Sequence, residues 1–343
     1  MRRLAAAAFL VATLLLSCTS GEEEPPLRIA FVQDLSAPDA DEHVQSALQA
    51  AELAVAMQAT EGAPVELVPF DLAEEPSAID EIGSDPSFLA AIVGPGADGS
   101  AVAEAGVPTV SVSTAGPTPA DGSWRRFVAP IDVLADVVAA ALAGSEPCVL
   151  SEEPAPDGLA GLLTDRLGEP AATLDPAEAP SFVEASGCDA VAWAGSPDPG
   201  AELARALPDG IALVGGDRLL DPDFLDAGSA ADGARAACSC VDLSTSTDPE
   251  TMRFIQDYQS EYGLPPGPYA VEAWDAAHAV LLALQGSEPT RDDARDWLGQ
   301  VTRFEGLAAD YAFDPTGELV VPYAFARLSR VAGGRWLPFT APS

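Results

Sequence analysis

The chain has 343 residues and a formal net charge of −38 at neutral pH, with 54 acidic residues against 16 arginines and no lysine. This length suits two lobes of ordinary size better than one core. The excess of negative charge makes nucleic acid a poor partner. Without lysine, the chain cannot build a Walker-type phosphate loop, a Ser-x-x-Lys acylation site or a lysine Schiff base.

The first 26 residues have the pattern of an export signal followed by a tether. Arg2 and Arg3 precede an apolar run over residues 4–16, which is too short to span a bilayer. Cys18 follows in a stretch that resembles the lipobox of bacterial lipoproteins. We therefore expect residues 1–17 to be removed and lipid on Cys18 to hold the protein outside the cell at its membrane. The acidic residues 18–26 predict a disordered tether.

From residue 27 onward, short apolar strands alternate with amphipathic helices. In the first half, strands are predicted at 28–32, 65–70, 90–94 and 107–112, with a helix at 42–58. In the second half, strands are predicted at 148–150, 189–193, 211–215 and 323–328, with helices at 131–142, 158–167, 200–207, 249–262 and 269–284. This alternation is typical of α/β proteins with parallel sheets and crossover helices, and it indicates two doubly wound lobes.

Four cysteines remain after Cys18, and an oxidising compartment favours disulfides between them. Cys148 and Cys188 each open an apolar, strand-like run, so neighbouring parallel strands would place them side by side. We predict that these two form a disulfide. Cys238 and Cys240 would then form a local bridge or stay free thiols, and a zinc site is the less favoured alternative because no histidine is near. Neither a metal nor a cofactor is expected.

Five different motifs follow one another along nearly the whole mature chain. They are residues 29–38, 92–94, 106–111, 267–277 and 313–318. Together they resemble the type I extracytoplasmic solute-binding proteins, close in layout to the leucine/isoleucine/valine-binding protein. The resemblance implies two lobes joined by three crossings, with the ligand in the cleft. Lobe one is expected at 27–128 plus 250–320, and lobe two at 129–249 plus 321–343.

Open parallel sheets bind ligands beyond the carboxyl ends of their strands, so the loops that follow each strand are expected to contact the ligand. The resemblance and these loops together give the predicted ligand-binding residues, which are Asp34, Ser36, Asp98, Ser113, Thr114, Ala115, Ser196, Asp217 and Tyr269. By resemblance, residues 113–115 grip an amino acid and Asp217 pairs with its ammonium group. The alternative for each is an ordinary solvated loop position.

Departures from the family pattern point away from a branched-chain amino acid. Asp98 stands where the family supplies a serine to the ligand carboxylate, and a desolvated carboxylate pair repels by several kcal/mol on an order-of-magnitude estimate. Glu42 replaces a tyrosine. With Asp34 and Asp217 also expected in the cleft, a cationic or polyhydroxyl ligand is favoured.

The resemblance implies the solute-binding lipoprotein of an ABC importer, with a small polar solute and a membrane permease as partners. The solute is expected to be an amino acid, amide or amine. An enzyme is disfavoured, because the two histidines, His43 and His278, lie far apart and no catalytic motif accompanies them. The alternative is a ligand-sensing or envelope-regulatory lipoprotein that kept the fold. Trp193 and Trp274 are predicted to be core residues.

Overall fold

The computed structural model describes residues 26–35, 41–58, 64–119, 124–152, 158–168, 171–243, 246–286 and 289–339. The signal peptide, Cys18, Ser36 and the side chain of Glu42 lie outside the described residues. Within the described ranges, no helix combines the length and apolar character needed to cross a membrane.

The first sheet has five parallel strands in the order β2-β1-β3-β4-β5. They are β1 (Leu27–Gln33), β2 (Val65–Asp71), β3 (Phe88–Val93), β4 (Thr109–Ser111) and β5 (Trp124–Arg126). Helices α1 (Asp41–Gln58), α2 (Ala78–Ser84) and α3 (Ser100–Glu104) connect them. All six residues of β3 are buried, as expected for a central strand covered on both faces.

The second sheet has seven strands in the order β14-β13-β10-β9-β8-β6-β7. The strands are β6 (Pro147–Ser151), β7 (Ala172–Thr173), β8 (Ala190–Trp193), β9 (Ala212–Gly215), β10 (Arg235–Cys238), β13 (Arg327–Val331) and β14 (Trp336–Pro338). The helices are α4 (Ile131–Ala141), α5 (Leu159–Leu167), α6 (Ala179–Ser186) and α7 (Pro197–Ala206). At one edge, β13 pairs antiparallel with both β10 and β14, and the other pairings are parallel.

Between β10 and β13 the chain returns to the first sheet. This part contains α8 (Pro249–Tyr262), α9 (Ala270–Ala283), α10 (Arg291–Gln300) and the hairpin of β11 (Arg303–Glu305) with β12 (Asp310–Ala312). Helix α9 packs on α1, and α10 packs against β3. Nearly every residue of α9 is buried, so it forms the centre of the largest apolar core. We call this part with the first sheet lobe one, and the rest lobe two.

The chain passes between the lobes three times, at residues 127–130, at 239–243 with 246–248, and at 313–326. The predicted fold class, two doubly wound α/β lobes, is confirmed by the two largely parallel sheets with helices packed against them. The residue boundaries of the lobes stay predictions.

The last predicted strand and β5 are among the stretches that differ from the sequence-based expectation. The last strand is not at 323–328; Pro322–Ala324 form a 3₁₀ turn and β13 begins at Arg327. The apolar residues there belong to the third crossing, where they have no neighbouring strand. Strand β5 was not predicted at all, because two of its three residues are arginines, and both are buried in the structure.

The cysteines lie in two close pairs. Cys148 is in β6 and Cys188 comes just before the neighbouring strand β8, with their Cα atoms 5.7 Å apart. Cys238 and Cys240 lie at the end of β10, with a Cα separation of 5.2 Å. Both separations suit a disulfide. Mass mapping of the non-reduced protein tests the two covalent bonds, and a link between the pairs would contradict them.

Candidate functional site

A cavity of about 340 Å³ lies between the lobes, at the carboxyl ends of the strands. Lobe one lines it with Asp34, His43, Val44, Pro95, Gly96, Thr114, Ala115 and Tyr269. Lobe two lines it with Ile131, Leu134, Gly158, Leu159, Ala160, Trp193, Ala194, Gly195, Gly216, Asp217 and Arg218. An open α/β sheet is expected to hold its ligand at this edge. We call this cavity the cleft.

A buried arginine from β5 holds the lobe-one wall in place. Arg126 is 1% exposed, and its guanidinium donates to the carbonyls of Ser113 (2.9 Å), Ala115 (3.0 Å) and Gly116 (2.9 Å). Its Nε donates to Glu318 at 3.0 Å. Loop 113–116 is therefore fixed from behind by a side chain that does not itself line the cleft.

Glu318 connects the turn at residues 313–318 to Arg126, which supports the cleft wall. One of its carboxylate oxygens accepts from both Arg126 and the hydroxyl of Thr118. The turn itself is closed by Asp314, whose carboxylate accepts from the backbone N–H of Thr316 at 2.8 Å. The turn thus orients the carboxylate that pairs with Arg126.

Only some residues of loop 113–116 line the cleft. Thr114 and Ala115 line the cavity, as predicted for ligand-binding positions. Ser113 does not, because it is fully buried and its hydroxyl accepts from the backbone N–H of Ala115 at 3.0 Å. Its role in the structure is to shape the loop.

Asp98 is not brought into the cleft. The side chain is exposed, and its Oδ1 accepts from the backbone N–H of Ser100 at 3.0 Å, at the start of α3. Its carboxylate also packs beside Gly116, where any Cβ would clash with Oδ1. The expected repulsion between Asp98 and a ligand carboxylate therefore loses its structural basis, while Asp34 does line the cavity.

On lobe two, Ser196 acts behind the cleft wall. It is 3% exposed; its backbone N–H and hydroxyl both donate to Glu152, the hydroxyl at 2.9 Å. The same hydroxyl oxygen accepts from Arg218 Nη2 at 2.9 Å. Ser196 was predicted to touch the ligand, but in the structure it positions Arg218, which lines the cavity.

A hydrogen bond between Tyr269 and Asp217 joins the two lobes across the cleft. The hydroxyl of Tyr269, at the start of α9, donates to Asp217 Oδ2 on lobe two. The other carboxylate oxygen accepts from the backbone N–H of Arg218 at 3.1 Å. Burial, together with the charge of Asp217, raises the pKa of Tyr269 well above its usual value, so the phenol stays protonated and able to donate.

Tyr269 has an unusual backbone. Its φ is +65°, and it is the one non-glycine residue with positive φ among those described. A left-handed conformation disfavours residues with a side chain, so the surrounding packing must hold it there. The result is that the phenol reaches across the cleft from the N-terminus of α9.

His43 lines the cleft, which the sequence did not predict, because His43 was considered there only as a catalytic base. It is 7% exposed, and its ring centroid lies 6.0 Å from that of Tyr269. Burial lowers the pKa of His43, against the opposing effect of Asp217 and Asp221, so the ring is neutral at pH 7. Its position one residue after Glu42, at the start of α1, was the available signal.

Trp193 belongs to both the lobe-two core and the cleft wall. It is 1% exposed, its indole N–H donates to the Ser196 carbonyl at 3.1 Å, and it lines the cavity. Trp274 is a core residue that contacts His278, with ring centroids 4.6 Å apart. Of the two tryptophans, Trp193 is the one placed to sense a ligand.

Two buried carboxyls on α9 lie behind the cleft. Glu272 Oε1 accepts from the Val241 N–H of the second crossing at 2.6 Å, and burial raises the pKa of Glu272 to about 8. Asp275 accepts from the N–H groups of Leu307 and Ala308 and from the hydroxyl of Tyr311. Burial raises the pKa of Asp275 to about 7 in spite of these hydrogen bonds.

The chain is similar to known proteins in part of its sequence and in its fold. Residues 166–335 match the model of the periplasmic binding protein family. No curated protein matches the chain in sequence. Solved structures with a similar fold include the branched-chain amino acid transporter substrate-binding protein LivJ from Streptococcus pneumoniae, in complex with isoleucine. The identity is 18%, the match covers 91% of this chain and 98% of LivJ, and the TM-score is 0.75.

Two further structures illustrate the range of ligands on this fold. The leucine-binding protein LivK from Thermotoga maritima is 18% identical, with 92% of this chain and 98% of LivK covered and a TM-score of 0.68. An ABC transporter solute-binding protein from R. palustris, in complex with benzoate, is 17% identical, with 92% and 95% covered and a TM-score of 0.69. The match over residues 166–335 and the shared two-lobed fold confirm the resemblance of this chain to the type I solute-binding proteins.

Proposed function

We propose that the chain is the solute-binding component of an ABC importer, and that it captures a small polar solute by closing its lobes. The solute is an amino acid, an amide or an amine. The observation that carries this proposal is the cleft of about 340 Å³ at the carboxyl ends of both sheets, crossed by the Tyr269–Asp217 hydrogen bond. A hydrogen bond of this kind stabilises a closed state, and hinge closure is a common way to trap a ligand.

The importer assignment is supported by the family match and by relatives whose names describe ABC transport. We propose that the chain performs no chemistry of its own, because the matched family consists of solute-binding proteins. Its partners are then the solute and a membrane permease.

The chain is further proposed to be extracytoplasmic and tethered by lipid on Cys18. The support is the signal-like run over residues 4–16 and the lipobox-like stretch that ends at Cys18. A Cys18→Ala variant is expected to be released from membranes after export, and retention of the cleaved protein would contradict the tether.

A thermal-shift screen of amino acids, amides, amines and organic acids on the soluble part, from residue 21 onward, tests the proposed function. At a hundred times its Kd, a ligand adds about 2.7 kcal/mol to the free energy of unfolding, which raises Tm by several degrees. A phenylalanine in place of Ala115 would fill the cleft, so Ala115→Phe should abolish the shift.

The matched control is Ala230→Phe, at an exposed position in a second cavity on lobe two, beside the amino ends of β9 and β10 and away from the cleft. It should respond as the unmodified protein does. Stabilisation that persists in Ala115→Phe would place the ligand outside the cleft, and no stabilisation by any solute would contradict solute capture.

A further inference from the structure

We propose that Cys238 and Cys240 form a redox-sensitive disulfide in the hinge, which is made of the crossings between the lobes. Reduction of this disulfide by a dithiol loosens the position of Tyr269 and shifts the lobes toward the open state. The inference rests on the proposed closure of the lobes over a solute. Its test uses the unliganded protein, so a failed solute screen and a failed redox test are separate results.

The two cysteines flank a single residue where the second crossing begins. Cys238 ends β10, at the carboxyl edge of the lobe-two sheet, and the backbone N–H of Cys240 donates to its Sγ at 3.1 Å. Both side chains pack in the largest apolar core, around α9. A disulfide between them closes a short ring around Ser239. Such a ring restricts the backbone of the enclosed residue, and this restriction is lost on reduction.

Ser239, enclosed by the two cysteines, joins the crossings to each other and to the cleft. The residue is buried, and its hydroxyl donates to the carbonyl of Ala129, in the first crossing, at 2.9 Å. Burial raises the pKa of the Tyr269 phenol, and a backbone hydrogen bond from Ser239 opposes that shift. The position of Ser239 therefore affects both the hinge and the tyrosine that reaches across the cleft.

The second crossing contacts the first turn of α9 at another point as well. The backbone N–H of Val241 donates to Glu272 Oε1 at 2.6 Å, one helical turn beyond Tyr269. Segment 238–241 thus meets this turn through both Ser239 and Val241. A change in the backbone of the segment is therefore expected to move the phenol of Tyr269.

Tyr269 is the residue through which the segment acts on closure. Its hydroxyl donates to Asp217 Oδ2 on the opposite lobe. Its backbone has a φ of +65°, and a non-glycine residue keeps such a conformation only where the surrounding structure holds it. With the disulfide intact, segment 238–241 supports the phenol in reach of Asp217. After reduction, the freer segment supports it less well, so the open lobes are favoured.

The redox step is a two-electron exchange with a dithiol. A thiolate of the reductant attacks one sulfur, the bond between the cysteines breaks, and a mixed disulfide forms. The second thiol of the reductant then displaces the bound cysteine. The two protons of the dithiol pass to the cysteines, and the reductant becomes a disulfide. Cys238 is 2% exposed and Cys240 is 7% exposed, so attack requires opening of the segment and is expected first at Cys240.

The other cysteine pair provides a control within the same molecule. Cys148 and Cys188 lie at the amino ends of β6 and β8, at the opposite edge of the lobe-two sheet from the cleft. Both pairs meet the same reductant in the same sample. A change that acts through Tyr269 should alter the hinge pair alone, whereas a general loss of stability should alter both.

The thiol–disulfide equilibrium of the full, unliganded chain tests the inference. The protein is equilibrated in mixtures of reduced and oxidised dithiothreitol, quenched with acid and labelled at its free thiols, and peptide mass spectrometry gives the reduced fraction of each pair. Coupling is reciprocal, so if the disulfide supports the Tyr269–Asp217 hydrogen bond, that bond stabilises the disulfide. Tyr269→Phe should therefore raise the equilibrium constant for reduction of the hinge pair about fivefold. The constant for the pair at the amino ends of β6 and β8 should be unchanged.

Alanine variants then remove each disulfide in turn. The double variant Cys238→Ala with Cys240→Ala should speed hydrogen exchange at residues 215–219 and 269–272, because the contact between these two ranges is weakened. The matched control, Cys148→Ala with Cys188→Ala, should leave exchange in both ranges unchanged. Circular dichroism checks that each variant is folded.

Three results would overturn the inference. The first is free thiols at Cys238 and Cys240 in the non-reduced protein. The second is an equilibrium constant for this pair that Tyr269→Phe leaves unchanged. The third is a change of equal size in both cysteine pairs, which would reflect a general loss of stability instead of a link to the cleft.

Discussion

The two walls of the cleft are strand-end loops of the same kind, but their hydrogen bonds differ. On lobe one, the carbonyls of loop 113–116 are held by Arg126, and the hydroxyl of Ser113 is used within the loop. On lobe two, no described side chain caps the first turn of α5, which lines the cleft. Lobe one therefore provides a fixed wall, whereas the lobe-two side offers donors to a ligand.

The largest expected effect comes from removing the support of the lobe-one wall. Arg126→Met leaves three carbonyls and Glu318 without their buried partner. Removing one member of a buried ion pair typically costs about 3–5 kcal/mol of unfolding free energy. Chemical denaturation measures this loss.

The matched control is Arg253→Met, because Arg253 is 76% exposed and pairs with Asp257 on the surface of α8. Exposed pairs contribute about 0–1 kcal/mol. An equal loss of unfolding free energy in the two variants would show that Arg126 does not stabilise the lobe-one wall.

The second effect concerns Glu272, which ties α9 to the second crossing between the lobes. Its folded pKa of about 8 lies above the ordinary value of 4.5, so the folded state binds the proton more tightly than the unfolded state. The stability from this group is fully present below about pH 4.5 and is lost as pH rises to about 8.

Glu272→Gln removes this titration but keeps an acceptor for Val241. Its unfolding free energy relative to the unmodified protein should therefore rise between pH 4.5 and pH 8, by up to about 4 kcal/mol. Denaturation at several pH values measures the difference. A constant difference over that range would show that Glu272 does not titrate as described.

The smallest effect concerns the contact between the walls. Tyr269→Phe removes the hydrogen bond to Asp217, which contributes about 1 kcal/mol to the closed state and should weaken ligand binding about fivefold. Tyr323→Phe is the control, because that hydroxyl bonds to Asp136 outside the cleft. Equal loss of affinity in the two variants would mean that the Tyr269 bond does not favour closure.

The architecture was predictable from the sequence in those elements where the spacing of apolar residues reflects which positions are buried. β3, with six buried apolar residues, and α9, with its run of alanines, were both predicted close to their true positions. Strand β5 was not, because its arginines are typical of a surface. The burial of Arg126 depends on carbonyls of loop 113–116 and on Glu318, which is 192 residues away. No local pattern contains that information.

The candidate site was predictable at the level of loops but less so at the level of side chains. Thr114, Asp34, Asp217 and Tyr269 line the cleft, as the strand-end rule and the resemblance suggested. Asp98, Ser113 and Ser196 lie beside or behind it, because their side chains bond to neighbouring backbone or side chains instead. Sequence position places a residue in a loop, whereas its hydrogen bonds decide which way it faces.

Hydrogen exchange with and without the strongest stabiliser from the solute screen tests the central claim, that the cleft between the lobes is the solute site. Ligand should protect amides on both walls together, at residues 113–116 on lobe one and at 158–162 and 215–219 on lobe two. The second cavity, at 204–213 and 229–234, should be unaffected. Protection of that cavity, or of one wall alone, would contradict capture by lobe closure.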